Sequence, residues 1–236
     1  VNAQVAANNI DPQTGYAIIK GGMPWTPTVE TPLIVDQPVI AYEKGEYNTE
    51  IPWMAGTNSG EAYLFTSPYV SYNDLTTKFE QDFPAEDVPK ILAFYNITSA
   101  DRESNLFQVY GQMLTDVMFR CPTRNTLLSS LEHASTASNV GYFYHYNYIA
   151  SYAKHIWYYQ PLCWTYVCHT EELPAVFDPN ATSIDVYPTA AEILMSHQVQ
   201  FYWANFAETG NPSQGTHGTN LNQMWPNFAS STLQQT

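Results

Sequence analysis

Two short apolar runs limit what this chain can become, because each leads into a loop that carries an acid or a base. Ile51-Pro52-Trp53-Met54-Ala55-Gly56-Thr57 reads as a buried strand with a proline near its start. Val140 to Tyr148, dense in aromatics, reads as a second central strand. Between residues 74 and 137 the pattern is helical, with Leu106, Phe107, Tyr110, Leu114, Val117 and Met118 at three- and four-residue steps. Strands separated by helices define an α/β protein.

Other elements can be read from local chemistry. Val1 to Asn9 reads as the tail of a helix, and Met23 to Thr31 as an extended, proline-rich run. Pro38 to Tyr42, followed by Lys44-Gly45, predicts a helical turn with a glycine stop. Pro122 opens a helix from Thr123 to about Ala134. Thr189-Ala-Ala-Glu192 is a capping box, and Met195, Val199, Tyr202, Trp203 and Phe206 are expected to form the buried face of a helix ending near Gly210.

Charge narrows the function. Lys and Arg number 8 against 22 Asp and Glu, a net charge of −14, which repels a phosphate backbone and argues against nucleic acid as a partner. No apolar run reaches the roughly 18–20 residues that a membrane helix needs. Arg120 and Arg124 are expected to serve as ion-pair partners, and His145 as a packed or edge histidine with a hydrogen-bond partner. No metal-ligand spacing occurs, so neither a metal nor another cofactor is expected.

Two loops carry the candidate chemistry. Glu61 follows the first strand, where α/β enzymes collect ligands and catalysts; the alternative is a solvent-facing acid at a helix N-terminus. His169 sits after an aromatic loop and before Glu171-Glu172-Leu173-Pro174. A neutral imidazole is the side chain best suited to move a proton near neutral pH. Glu171 or Glu172 can add charge near the site, and the preferred reading of both is as exposed loop acids. Tyr152, His155, Trp157, Tyr158, Tyr159 and Trp164 can line an apolar or cation pocket, or fasten a long loop.

Cys163 and Cys168, five apart beside His169, are close enough to close a small disulfide ring. Cys121 is then either a buried free thiol or paired with sequence outside this chain. Sequons at Asn96-Ile-Thr98 and Asn180-Ala-Thr182, with few lysines, lean toward a secreted or endomembrane-lumenal glycoprotein.

Several of these stretches together resemble the type-B carboxylesterase and cholinesterase family. The residues are Gly56-Thr-Asn-x-x-Glu61-x-x-x-Phe65, Asp116-Val-Met-Phe-Arg-Cys-Pro122, His169-Thr-Glu-Glu-Leu-Pro-Ala-Val-Phe177 and Tyr202 to Pro212, with Trp225-Pro226. Ala62 stands where the family usually has glycine after the acid. The cysteine-flanked loop is similar to secreted members from lower eukaryotes, including crystal-forming esterase-like proteins.

The resemblance implies an α/β-hydrolase fold, with residues 1–236 as the C-terminal part of a single domain. It implies a Ser-Glu-His triad in which Glu61 and His169 are catalytic, with Phe65 and Trp164 at the substrate pocket. No Gly-x-Ser-x-Gly motif occurs in the 236 residues. The nucleophile is therefore expected in an N-terminal half of the same protein, which becomes the principal partner of this chain. A small-molecule carboxylic ester is the implied substrate, this chain alone is expected to be inactive, and a homodimer is a further expectation. The competing class is a catalytically silent adhesion or structural protein on the same fold.

Overall fold

The computed structural model describes Val29 and residues 32–133, 141–181, 186–218 and 223–228. The helix tail at 1–9 and most of the extended run at 23–31 lie outside them.

The chain divides into two compact units, residues 1–37 with 66–114, and residues 38–65 with 115–236. In the first, α2 (Tyr72–Asp82) begins with Ser71, whose hydroxyl accepts the Asp74 N–H while Asp74 takes the Ser71 N–H. This reciprocal cap satisfies two donors that the helix ladder leaves open. Helices α3 (Val88–Phe94) and α4 (Phe107–Thr115) follow, separated by a 3₁₀ turn at Ser99–Glu103. The helical pattern is therefore broken more often than the periodicity suggests. At the end of α2, Phe83 is extended because Pro84 disfavours helix at the residue before it. Leu75, Phe79, Tyr110 and Met113 are among this unit's buried residues.

The second unit holds the sheet. Helix α1 (Pro38–Lys44) ends at Gly45, whose φ of +73° suits glycine. Strand β1 (Trp53–Asn58) pairs in parallel with β2 (Gly141–Tyr146), in register from Trp53↔Gly141 to Asn58↔Tyr146. Gly56 is needed for close approach: a Cβ there would lie 2.2 Å from the Tyr144 ring. A five-residue π-helical segment, Asp116–Arg120, leads into α5 (Cys121–Glu132). α5 brings the fully buried Leu127 against Gly141.

The aromatic residues of β2 alternate in their neighbours, as strand pleating requires. Tyr142 and Tyr144 meet the rings of Phe206 and Trp203, respectively, on α8 (Ala190–Thr209), and both meet Trp225. Phe143 meets Phe228. Two short helices, α6 (Ala153–Ile156) and α7 (Leu173–Val176), lie between β2 and α8.

Thr189 and Glu192 form the capping box of α8, and Gly210 closes the helix at φ +75°. Its most buried side chains differ from the apolar set expected. Glu192, Ser196 and Asn205 are about 1% exposed, whereas Met195, Val199, Tyr202, Trp203 and Phe206 are intermediate. Polar residues can go this deep because each is bonded: Ser196 Oγ donates to Ala175 O, and Asn205 both accepts from and donates to the His217 backbone.

Candidate active site

The two loops after the strands meet. Glu61 opens a 3₁₀ turn (Glu61–Phe65) directly beyond β1, and its side chain is 7% exposed. One carboxylate oxygen accepts the Asn58 N–H at 2.7 Å. The other lies 2.7 Å from His169 Nδ1, across 108 residues of sequence. The backbones also join, with His169 N–H donating to Glu61 O at 3.3 Å. A carboxylate against Nδ1 holds the ring proton there and leaves Nε2 as the basic nitrogen. No described residue hydrogen-bonds Nε2. His169 stays protonated above its ordinary range, chiefly through the Glu61 hydrogen bond, with further help from the charges of Glu61 and Glu172; partial burial opposes the shift.

The loops are fastened at several points. Ser59 N–H donates to Tyr146 O and Gly60 N–H to Val167 O; Gln160 Nε2 donates to Leu64 O. Tyr63 and Tyr166 stack with ring centres 4.0 Å apart. Asn58 Nδ2 donates to Cys168 O at 2.8 Å and to Glu172 Oε2 at 2.6 Å. Ala62 is fully buried, and its N–H donates to Thr115 Oγ1, so the small residue in the glycine position is accommodated.

Cys163 and Cys168 are disulfide-bonded, with Cα atoms 5.3 Å apart, just before His169. Cys121 is free and exposed, which corrects the expectation of a buried thiol. It sits at the start of α5, where its side chain turns outward. Thr170 adopts φ +71°, a rare conformation for a β-branched residue and worth on the order of 1–3 kcal/mol of strain. Such strain persists only where the surrounding bonds fix the turn.

Of the two pocket candidates, Phe65 reaches His169, with ring centres 5.8 Å apart. Trp164 does not; its indole N–H donates to Trp157 O. Sequence reasoning missed the third ring. Phe119, on the π-helical segment, lies 5.1 Å from the His169 ring. The segment's wider winding is a device often found at functional sites, and the Asp-x-x-Phe spacing was the available signal. In the aromatic loop Tyr152 and Trp157 are buried while Tyr158 and Tyr159 are exposed. The loop thus combines fastening residues with open rings.

The acids after His169 differ from the exposed pair expected. Glu171 is 1% exposed, and burial pushes its carboxyl up to about 7. Glu172 is partly buried against Asn58. Arg120 pairs with Asp116 at 2.7 Å and approaches His145 Nε2 at 3.4 Å, while the described residues give Arg124 no ion pair. Burial and Arg120 lower the proton affinity of His145. Asn96 and Asn180 are both exposed; Thr182 of the second sequon lies outside the described residues. Among the described residues no cluster of acids, histidines or cysteines could hold a metal, and no helix is long and apolar enough to cross a membrane.

The chain is a mixed α/β structure in which Glu61 follows the first of two parallel strands and pairs with His169 in the loop beyond the second. The model of the carboxylesterase family matches residues 8–236, and the chain belongs to that family. It is 28% identical over 197 residues to a crystal protein of Dictyostelium discoideum, covering 80% of this chain and 33% of that one. It is 26% identical to the bile salt-activated lipase of Bos taurus, covering 83% and 33%. It is 21% identical to acetylcholinesterase 1 of Caenorhabditis elegans, covering 91% and 37%. The chain spans about a third of the length of these curated relatives. Family membership implies the α/β-hydrolase fold.

Proposed function

We propose that the chain supplies the acid and the histidine of a Ser-Glu-His carboxylic ester hydrolase, as the C-terminal portion of an α/β-hydrolase domain. The observation that carries this reading is the 2.7 Å pairing of His169 Nδ1 with the buried Glu61 carboxylate, which leaves Nε2 unengaged by any described residue. The nucleophile serine and the oxyanion-hole donors belong to another part of the same protein.

In the first step the serine oxygen bonds to the ester carbonyl carbon while its proton passes to Nε2. The carbonyl π pair moves to oxygen, and Glu61 stabilises the imidazolium. On collapse the bond to the alcohol oxygen breaks, and Nε2–H returns the proton to that oxygen. Water then repeats the sequence on the acyl-enzyme. Phe65 and Phe119 border the imidazole with apolar rings and favour an ester with a hydrophobic part on that side. The buried disulfide and the exposed sequon asparagines support a secreted or lumenal enzyme.

The test is hydrolysis of a nitrophenyl ester by the full-length protein. His169→Ala should lower turnover by about 10⁴–10⁶-fold, since both proton transfers are lost. His145→Ala should leave most activity. Ester hydrolysis that survives His169→Ala within tenfold overturns the assignment. The similarity to a protein named crystal protein favours a second reading, a non-catalytic structural role. Covalent labelling of the full-length protein by a fluorophosphonate separates the two, because only an activated serine reacts.

A further inference from the structure

We propose that Glu171 is a positioning residue for His169, gripping the Cys168 peptide so that the imidazole stays aligned on Glu61; this rests on the reading of His169 as the catalytic base. His169 and Thr170 are the two central residues of a tight turn whose ends are Cys168 and Glu171. The Glu171 N–H closes the turn on Cys168 O at 3.2 Å. The Glu171 side chain closes it a second time, with Oε2 accepting the Cys168 N–H at 2.8 Å. Cys168 O is also held by Asn58 Nδ2. Both backbone polar groups of Cys168, the residue before the imidazole, are thus fixed, the N–H by the Glu171 side chain.

The other carboxyl oxygen, Oε1, is buried and meets no hydrogen-bond partner among the described residues. An acid 1% exposed is a costly way to fill space. An apolar residue of similar volume would pack without that cost. What it could not supply is an acceptor for the Cys168 N–H, which would then be buried and unpaired.

The ionisable groups around the carboxyl are Glu172 on the same loop, Tyr146 on β2 and Tyr152 beyond it; none is a cation. The neutral acid is consequently within reach near neutral pH, and a glutamine, which keeps an acceptor oxygen without the charge, can stand in for it. Thr170, at φ +71°, shows why a clamp is needed: its preferred backbone would open the turn and swing His169.

The experiment uses the full-length protein with Glu171→Gln, Glu171→Asp and Glu171→Leu. Proton and carbon NMR of imidazole-labelled protein follows the His169 titration and its low-field Nδ1 proton, with His169→Gln for assignment. Leu should broaden or remove the low-field signal, move the His169 titration toward an ordinary histidine, and lower kcat at least tenfold with KM within about threefold. Asp, one methylene shorter and so drawn back from the Cys168 N–H, should show the same changes to a lesser degree. Gln should restore the signal and bring kcat within about threefold of wild type.

Should Leu not fold, Asp against Gln decides. A wild-type signal and kcat in Asp, or a Gln no better than Asp, overturns the proposal. The NMR arm reads the Glu61–His169 bond whether or not His169 is the base. If His169→Ala keeps its activity, the catalytic reading fails while the clamp is still scored by the titration.

Discussion

Glu61 divides its carboxylate between the Asn58 N–H and His169 Nδ1, each at 2.7 Å. An amide cannot serve both donors. In Glu61→Gln the single oxygen satisfies one, and the NH₂ group meets the other. If the oxygen keeps Asn58, the NH₂ faces Nδ1 and drives the ring proton to Nε2, the wrong tautomer for a base. Turnover of the full-length enzyme should fall by about 10⁴-fold. A loss below tenfold would show that the carboxylate only packs there. The double variant with His169→Ala should be little worse than His169→Ala alone, because the two act as a unit.

The pH dependence follows from the same pair. The base must be neutral, and Glu61 together with Glu172 holds the proton on His169 above the ordinary range. Activity should therefore fall as pH drops through a value above 6.5, and Glu172→Gln should move that limb toward lower pH. A limb that stays in place in Glu172→Gln removes Glu172 from the electrostatics of the site. The stability consequence has the opposite sense. A raised histidine favours folding below its unfolded pKa, and the gain is lost as pH rises through the folded value.

Glu171 predicts a separate signature. Its folded pKa of about 7 lies above the ordinary 4.5. The neutral acid therefore suits the fold, its contribution being full below about 4.5 and lost as pH rises through about 7. Above that, the buried charge costs on the order of 3 kcal/mol relative to acid pH. Glu171→Gln should remove this term, so its stability relative to wild type should rise by about that amount between pH 4 and pH 8 in urea unfolding. A difference that does not change with pH would contradict the buried acid.

What the sequence revealed of this site, and what it hid, follows from how far each signal reaches. The capping box at Thr189 and Glu192, the proline before α5 and the glycines ending α1 and α8 are local, since a neighbour three or four residues away decides them. Glu61 and His169 could be singled out because each sits in a loop of distinctive wording. Glu171 could not, because two adjacent acids in a loop look solvated. Only the Cys168 N–H, which its carboxyl accepts, ties the first of them inward. The polar stripe of α8 was hidden for the same reason: Asn205 and Ser196 are buried by partners 12 and 21 residues away. The wide turn that carries Phe119 has no periodicity of its own to betray it.

The Cys163–Cys168 bond closes a ring of only five residues' separation, so its effect on the unfolded chain is small for a disulfide. Loop-closure entropy at this length gives about 2 kcal/mol. Replacing both cysteines by alanine should lower stability by that amount, measured by urea unfolding without reductant. Peptide mapping that found both thiols free in the native protein would remove the basis for this prediction.

Thr170 offers the last test, because its strain can be relieved without touching a hydrogen bond. Its φ of +71° is strained for a β-branched side chain and ordinary for glycine. Thr170→Gly removes that strain but gives the unfolded chain more freedom, and these effects oppose each other. The strain of on the order of 1–3 kcal/mol exceeds the entropic loss of roughly 0.5–1 kcal/mol. The full-length protein should therefore gain about 1 kcal/mol in urea unfolding. Thr170→Val keeps the branching and so should gain nothing, which separates relief of strain from loss of the hydroxyl. If Gly destabilises while Val is neutral, the turn is held by packing on the Thr170 side chain, and the backbone there is not under load.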